Sequence, residues 1–357
     1  MEAMNPGRDS SAGGAAEGRR GNAGRRPGPA DVFPESLGAE YDWTGRPKHV
    51  RVQAPGKINA SFRVGPLRDD GYHTVASTYL AVSLYEEVQA TAKPGTPPSD
   101  VTVSISPGSS LAPELLAGIP LDGRNLAVRA ALLVADISEN ACGVHLEISK
   151  HVPIAGGMGG GSADAAAALV ACDALWHTGL SREELSLLGA ELGADVPFAL
   201  LGGAAVGLGV GDRLTSALAP EPLHWVLVQS DFGLSTPVVY GTLDSLRAGE
   251  DPVEPDQVDP RILAALRAAD PALLAPCLEN DLQRAAVHLA PGLADVLDAG
   301  TRLGALATLV SGSGPTVAML ARDPAHALEL VAQLAGDGLD AQAVEGPVHG
   351  AQRIVDA

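Results

Sequence analysis

From residue 49 onward, apolar and polar positions fall into patterns that predict alternating strands and helices. Val50, Val52, Ile58, Phe62 and Val64 predict paired strands interrupted by Ala54-Pro55-Gly56. Residues 80–90, 101–105 and 143–149 predict further strands by β-branched content and alternation. Residues 124–137 and 162–177 predict helices, and a Gly-rich, hairpin-like stretch covers 202–211. An acidic loop punctuated by Pro252, Pro255 and Pro260 follows at 248–260. Helical patterns occupy 261–288 and 291–302. Strands are expected at 306–310 and 316–320, and a helix at 324–336. The chain has 357 residues, enough for two domains, and a change of domain is expected near 220.

Residues 1–47 break the pattern. They contain 9 Gly and 5 Pro, and their 6 Arg are offset by 7 acids, a composition that reads as a disordered tail. No apolar segment follows Arg25 and Arg26, so a secretory signal is not expected. The formal charge of the chain is −19, which argues against nucleic acid as a partner. No stretch approaches the roughly 18 apolar residues of a membrane span, so no membrane partner is expected. Cys142, Cys172 and Cys277 are few and far apart, with no C-x-x-C pair, which suits a cytoplasmic location. A phosphate bound to so acidic a chain must be held by local devices: backbone amides, a helix start or a single Lys.

Such a device stands at 153–164. Gly156, Gly157, Gly159, Gly160 and Gly161 fall within six residues and run into an Ala-rich helical segment. Glycines let amides converge on an anion, and a helix start adds unpaired N–H groups and about half a positive charge. Ser162 is expected as N-cap. The loop has no Lys and lacks G-x-G-x-x-G, so neither a P-loop nor a dinucleotide fingerprint fits; a Gly-rich connection is the plain alternative.

Lys57 and Asn59, two apart on an apolar strand, are expected on one face, although a surface Lys on a strand edge would read the same way. Asp195, in Gly193-Ala194-Asp195-Val196-Pro197-Phe198, either closes a turn or pairs with Lys57. As a pair, the acid can accept a hydroxyl proton while the Lys stabilises a transferring phosphoryl group. Arg68 to Thr74 is a polar turn carrying Tyr72 and His73, which offer a stacking face and a base-edge hydrogen-bonding group, or form an ordinary turn. Tyr240 could supply a second ring or sit at a core rim. Ser311-Gly312-Ser313-Gly314-Pro315 could approach phosphates or form an ordinary Gly turn.

Three segments resemble the GHMP kinases: Pro55-Gly56-Lys57-Ile58-Asn59, the loop from Pro153 to Ala163, and Ser311 to Pro315. The resemblance spans roughly 49–345. Asp70-Gly71-Tyr72-His73, Gly159-Gly160-Gly161-Ser162, Gly193-Ala194-Asp195-Val196-Pro197 and Asn280-Asp281-Leu282 narrow it to the branch acting on a cytidine-diphosphate alcohol. Met158 stands where that family has Leu. The resemblance implies an α+β fold, a ribosomal protein S5-like N-terminal domain (48–220) plus a ferredoxin-like C-terminal domain (221–345), followed by a tail over 346–357. It implies transfer of the γ-phosphate of ATP, with Mg2+ whose ligands it leaves unidentified, to the 2-hydroxyl of 4-diphosphocytidyl-methylerythritol in the non-mevalonate isoprenoid precursor route. Asp195 would be the catalytic base and Lys57 its partner. Pro153, Ala155, Gly156, Gly157, Met158, Gly159, Gly160, Gly161, Ser162 and Ala163 would hold ATP. Asn59, Tyr72, His73 and Tyr240 would bind the acceptor. A homoserine or mevalonate kinase of the same superfamily, a non-catalytic nucleotide binder on the same fold, and either a monomer or a homodimer remain open at this point.

Overall fold

The computed structural model describes residues 47–355. The tail expected over 1–47 lies, apart from its last residue, outside the described residues, as do 356 and 357. The chain opens with two long antiparallel strands, β1 (His49–Leu67) and β2 (His73–Lys93). The paired strands expected over 49–64 are one strand. Register shifts at Pro55/Gly56 and Asn59/Ser61 bend it without ending it, so the Pro-Gly step is an irregularity and not a turn.

β2 is long enough to serve two neighbours. Its Glu87–Lys93 half pairs with β4 (Gly143–Ser149), which pairs in parallel with β3 (Val101–Ile105). Its Ser77–Leu80 half pairs with β5 (Ala204–Leu208), which pairs in turn with β6 (Arg213–Ala217). Between β3 and β4 run a short helix α1 (Pro113–Leu116) and α2 (Leu126–Ile137). After β4 come α3 (Gly160–Trp176), α4 (Arg182–Leu192) and α5 (Val196–Leu201). α3 is buried on nearly every side, against Val52, Val88, Leu146 and Ile148 of the sheet and Ala130, Ala131 and Val134 of α2. Its Ala run follows from that position, since a helix enclosed by a sheet and other helices has room only for small side chains.

Between Ala217 and Leu223 the chain leaves this sheet and enters a second one. There β7 (Leu223–Val228) is followed by α6 (Thr236–Leu246), α7 (Pro260–Ala268) and α8 (Pro271–Leu274). β8 (Glu279–Asn280) reaches back to pair with β1, and α9 (Gln283–Leu289) and α10 (Gly292–Arg302) follow. β9 (Ala307–Val310), β10 (Val317–Leu320), α11 (Pro324–Gly336) and β11 (Ala341–Gly346) complete an antiparallel sheet of order β11-β7-β10-β9. Counted within this sheet the order is 4-1-3-2, the ferredoxin-like arrangement. The continuous helical pattern expected over 261–288 is instead broken into short helices around β8, as Pro271 and Pro276 dictate.

The tail expected over 346–357 also needs correction. Gly203 N–H donates to the Val348 carbonyl, Ala351 N–H donates to the Ala199 carbonyl, and β12 (Gln352–Arg353) pairs with β1. Ala351 is fully buried. This segment is held by backbone pairing, which leaves no hydrophobic period in the sequence.

Candidate active site

Lys57 and Asn59 lie between the register shifts at Pro55/Gly56 and Asn59/Ser61 of β1 and share a face, as alternation requires. Lys57 Nζ donates to Asn59 Oδ1 at 2.7 Å and to the Gly157 carbonyl at 2.9 Å. The Asn59 amide donates to Ser77 Oγ at 2.7 Å, and Ser77 Oγ donates to the Ser61 carbonyl. Asn59 is buried with both ends of its amide engaged, so it holds Lys57 in place from below. Lys57 is no surface residue: its side chain is 11% exposed. Burial lowers its pKa, and the nearby Asp195 charge opposes that shift.

The glycine loop approaches from the other side. Met158 is buried in the core with Val152, Ile58 and Leu80, and its carbonyl accepts from Lys57 N–H at 2.9 Å. Met158 therefore anchors the loop, and only its backbone borders the cleft. Gly159 is the N-cap of α3 at φ 71°, which corrects the expectation for Ser162. Gly160 and Gly161 adopt helical conformation, so the helix begins two residues early and Ser162 stands in its first turn. The first bond of the helix runs from Ala163 N–H to the Gly159 carbonyl at 2.9 Å. The amides of Gly160, Gly161 and Ser162 precede it and have no intrahelical acceptor. The Ala163 amide is already spent and its methyl is in the core.

The second Gly turn is the floor of this loop. Ser311 Oγ donates to the Gly157 carbonyl at 3.2 Å, and Gly312 abuts Lys57 Nζ. A Cβ on Gly157, at φ +76°, would meet the Ser311 carbonyl oxygen at 2.0 Å. Gly157→Ala is therefore expected to cost more than the roughly 1–2 kcal/mol of the left-handed backbone alone. A lowered urea midpoint checks this; an unchanged midpoint would show that the two turns are not in register.

Asp195 stands at the N-terminus of α5, but its side chain forms no capping hydrogen bond. Val196 and Phe198 are buried beside it, which leaves the carboxylate as the side chain turned outward. It is 33% exposed, and its Oδ2 lies 4.0 Å from Lys57 Nζ. A Cβ on Gly159 would lie 3.7 Å from the same oxygen. Residues 57, 159 and 195, remote in sequence, thus border one cleft of about 470 Å³, together with Gly156, Gly157, Gly160, Gly161, Tyr240 and Gly312. Pro153 and Ala155 line it at the loop entry.

The His73 ring packs beside Tyr240, which lines the cleft, with ring centroids 5.0 Å apart at 34°. His73 Nε2 is 2.9 Å from Asp244 Oδ1. Tyr240 is half-buried, and burial raises its pKa. Tyr72, by contrast, is 65% exposed.

One group of residues escaped the sequence reading. Lys150 Nζ lies 2.5 Å from Glu86 Oε1 and 2.7 Å from Asp164 Oδ2, and all three residues are buried. Glu86 falls in step with Val82, Leu84 and Val88, and Lys150 with Val144, Leu146 and Ile148, all buried. Charged residues at inward positions of β2 and at the end of β4 were the available signal. The β2–β4 register ends at Glu87↔Ser149, and one more step sets Glu86 opposite Lys150. Burial pushes Glu86 up to about 8, against the pull of Lys150. Asp164 belongs to the first turns of α3, so the triad ties the start of that helix and its glycine loop to the sheet.

A curled sheet carrying a helix-capped glycine loop, joined to a ferredoxin-like sheet, defines a GHMP kinase. The family model described as GHMP kinases N terminal domain matches residues 125–203, and that described as GHMP kinases C terminal matches 262–338. The 4-diphosphocytidyl-2-C-methyl-D-erythritol kinase of Arthrobacter sp. (strain FB24) is 63% identical over 86% of this chain and 95% of its own. That of Leifsonia xyli subsp. xyli is 54% identical over 86% and 99%. A crystal structure of a 4-(cytidine 5'-diphospho)-2C-methyl-D-erythritol kinase superposes with a TM-score of 0.67 at 31% identity, covering 84% of this chain and 99% of that one. The chain belongs to the 4-diphosphocytidyl-2-C-methyl-D-erythritol kinase family. A homoserine kinase from Cytophaga hutchinsonii, at 18% identity and a TM-score of 0.65 over 86% of this chain and 98% of its own, shares the fold.

Proposed function

We propose that this protein transfers the γ-phosphate of ATP to the 2-hydroxyl of 4-diphosphocytidyl-2-C-methyl-D-erythritol. The observation that carries the mechanism is the meeting of Asp195, Lys57 and the open amides of α3 at one cleft. The amides of Gly160, Gly161 and Ser162 hold the phosphates, helped by the helix dipole. Asp195 accepts the hydroxyl proton. The hydroxyl oxygen forms its bond to the γ-phosphorus while the bond to the bridging oxygen breaks, and that electron pair leaves with ADP. Lys57, held by Asn59 and the Gly157 carbonyl, stabilises charge on the transferring group.

Among the described residues no group of three or more His, Cys, Asp or Glu could hold a metal ion. Magnesium in kinase sites rests largely on substrate phosphates and water. Mg2+ therefore belongs to the nucleotide substrate in this reading, where it neutralises phosphate charge. Among the described residues no helix is long and apolar enough to cross a membrane. Three free cysteines fit a reducing compartment, and we assign the enzyme to the cytoplasm, as a monomer or homodimer without nucleic-acid partners.

The test is phosphorylation of a panel of alcohols by the purified chain: the diphosphocytidyl alcohol, homoserine and mevalonate. Turnover confined to the first supports the reading, and turnover of either other alcohol alone would replace it. His73→Ala is expected to raise the KM for the acceptor by more than that for ATP, because the ring packs against Tyr240 of the cleft and touches no residue of the glycine loop. Steady-state kinetics in both substrates checks this, and an unchanged acceptor KM would remove His73 from recognition.

A further inference from the structure

Asp244 has no part in the chemistry above, yet it holds a residue that does. It lies one helical turn after Tyr240 on α6, so both side chains project from one face. The Tyr240 ring lies 5.0 Å from the His73 ring between centroids, tilted by 34°, and Asp244 Oδ1 meets its Nε2 edge at 2.9 Å. The His73 side chain is 5% exposed. Its Nδ1 makes no hydrogen bond with any described residue. A buried imidazole with one nitrogen held and the other unmatched is a group prepared for a partner from outside the chain.

The chemistry of the held edge decides what that partner can be. An ionised carboxylate only accepts hydrogen bonds, so Nε2 carries hydrogen while the pair is made. In the neutral ring Nδ1 is then a lone-pair acceptor. The same bond prevents the ring from turning over, which would exchange the two edges. An acceptor suits the exocyclic amino group of cytosine and meets the corresponding carbonyl of uracil lone pair to lone pair.

We propose that Asp244 is a positioning residue that fixes the orientation and tautomer of His73, and so makes the acceptor site read a cytosine in preference to a uracil. This rests on the acceptor reading given above. It adds a determinant on the second domain: the base is read by a β2 residue whose donor pattern is set from α6.

The test compares kcat/KM for the diphosphocytidyl alcohol and its uridine counterpart in the full chain and in Asp244→Asn and Asp244→Ala. Nitrogen NMR shifts of the His73 ring are read in the same proteins without substrate. The unaltered chain is expected to show hydrogen on Nε2 and a lone pair on Nδ1. In the variants the ring nitrogens become mixed in character and the cytidine-over-uridine ratio falls about tenfold, the worth of one hydrogen bond. An unchanged ratio in both variants overturns the proposal, as does hydrogen resting on Nδ1 in the unaltered chain. Equal loss for both alcohols would make Asp244 merely structural and overturn it too. Turnover of neither alcohol by the unaltered chain would overturn the acceptor assignment instead, while the ring shifts still report on the His73–Asp244 pair.

Discussion

Asp195→Asn is expected to lower kcat by roughly 10²- to 10⁴-fold, the usual worth of a positioned general base. The amide has the shape of the carboxylate but cannot take the hydroxyl proton. ATP affinity stays nearly the same, because the amides of Gly160, Gly161 and Ser162 are untouched and Asp195 caps no helix. The measurement is kcat from a coupled assay beside the dissociation constant for ATP from titration. A parallel loss of both would show that the carboxylate holds the cleft in shape. The variant also removes the charge 4.0 Å from Lys57 Nζ. Lys57 remains fixed by Asn59 and Gly157, so the phosphoryl side of the site stays assembled.

The second large effect is on stability. Lys150→Met leaves Glu86 and Asp164 buried together with no cation between them. Breaking a buried ion pair from one side typically costs about 3–5 kcal/mol. Denaturant unfolding checks it, and a loss no larger than that of an exposed pair would mean that water reaches the triad. Glu86→Gln is expected to be milder, and it separates the proton from the packing. The Glu86 pKa is raised from 4.5 to about 8, first by burial. The folded chain thus binds a proton that the unfolded chain has released, and this contribution to stability falls as pH rises. It is fully present below about 4.5 and is lost as pH passes through about 8. The difference in urea midpoint between the unaltered chain and Glu86→Gln should shift across that window. A constant difference would place Glu86 in its ionised form throughout.

Legibility in the sequence followed how local each constraint was. The Ala-rich helix and its glycine approach were legible because propensity and loop chemistry act over a few residues. Its true start was not: Ser162 satisfies the usual capping preference, yet Gly159 can take the left-handed conformation that ends the loop, and the helix claimed the next two glycines. β1 read as two strands because Pro55-Gly56 looks like a turn; the unbroken partner β2 holds it as one. Tyr72 carried the same local signal as His73. Alternation could not say which ring faces inward, and packing against Tyr240 selected His73. Asn59 shares a face with Lys57 as alternation required, but only the position of Ser77 on β2 shows that both ends of its amide are engaged.

By itself the sequence determined a succession of strands and helices with a change of domain near 220, a candidate anion loop without a Lys, and a carboxylate and a Lys of types suited to phosphoryl transfer. Those follow from period, propensity and composition, which are written along the chain. Tertiary structure alone decided that Asp195 meets Lys57, that Glu86, Lys150 and Asp164 share one buried site, and that residues 348–353 close the first sheet. Each of these depends on strand register or on the meeting of distant segments, and register is set by the whole set of buried faces acting together rather than by any one stretch.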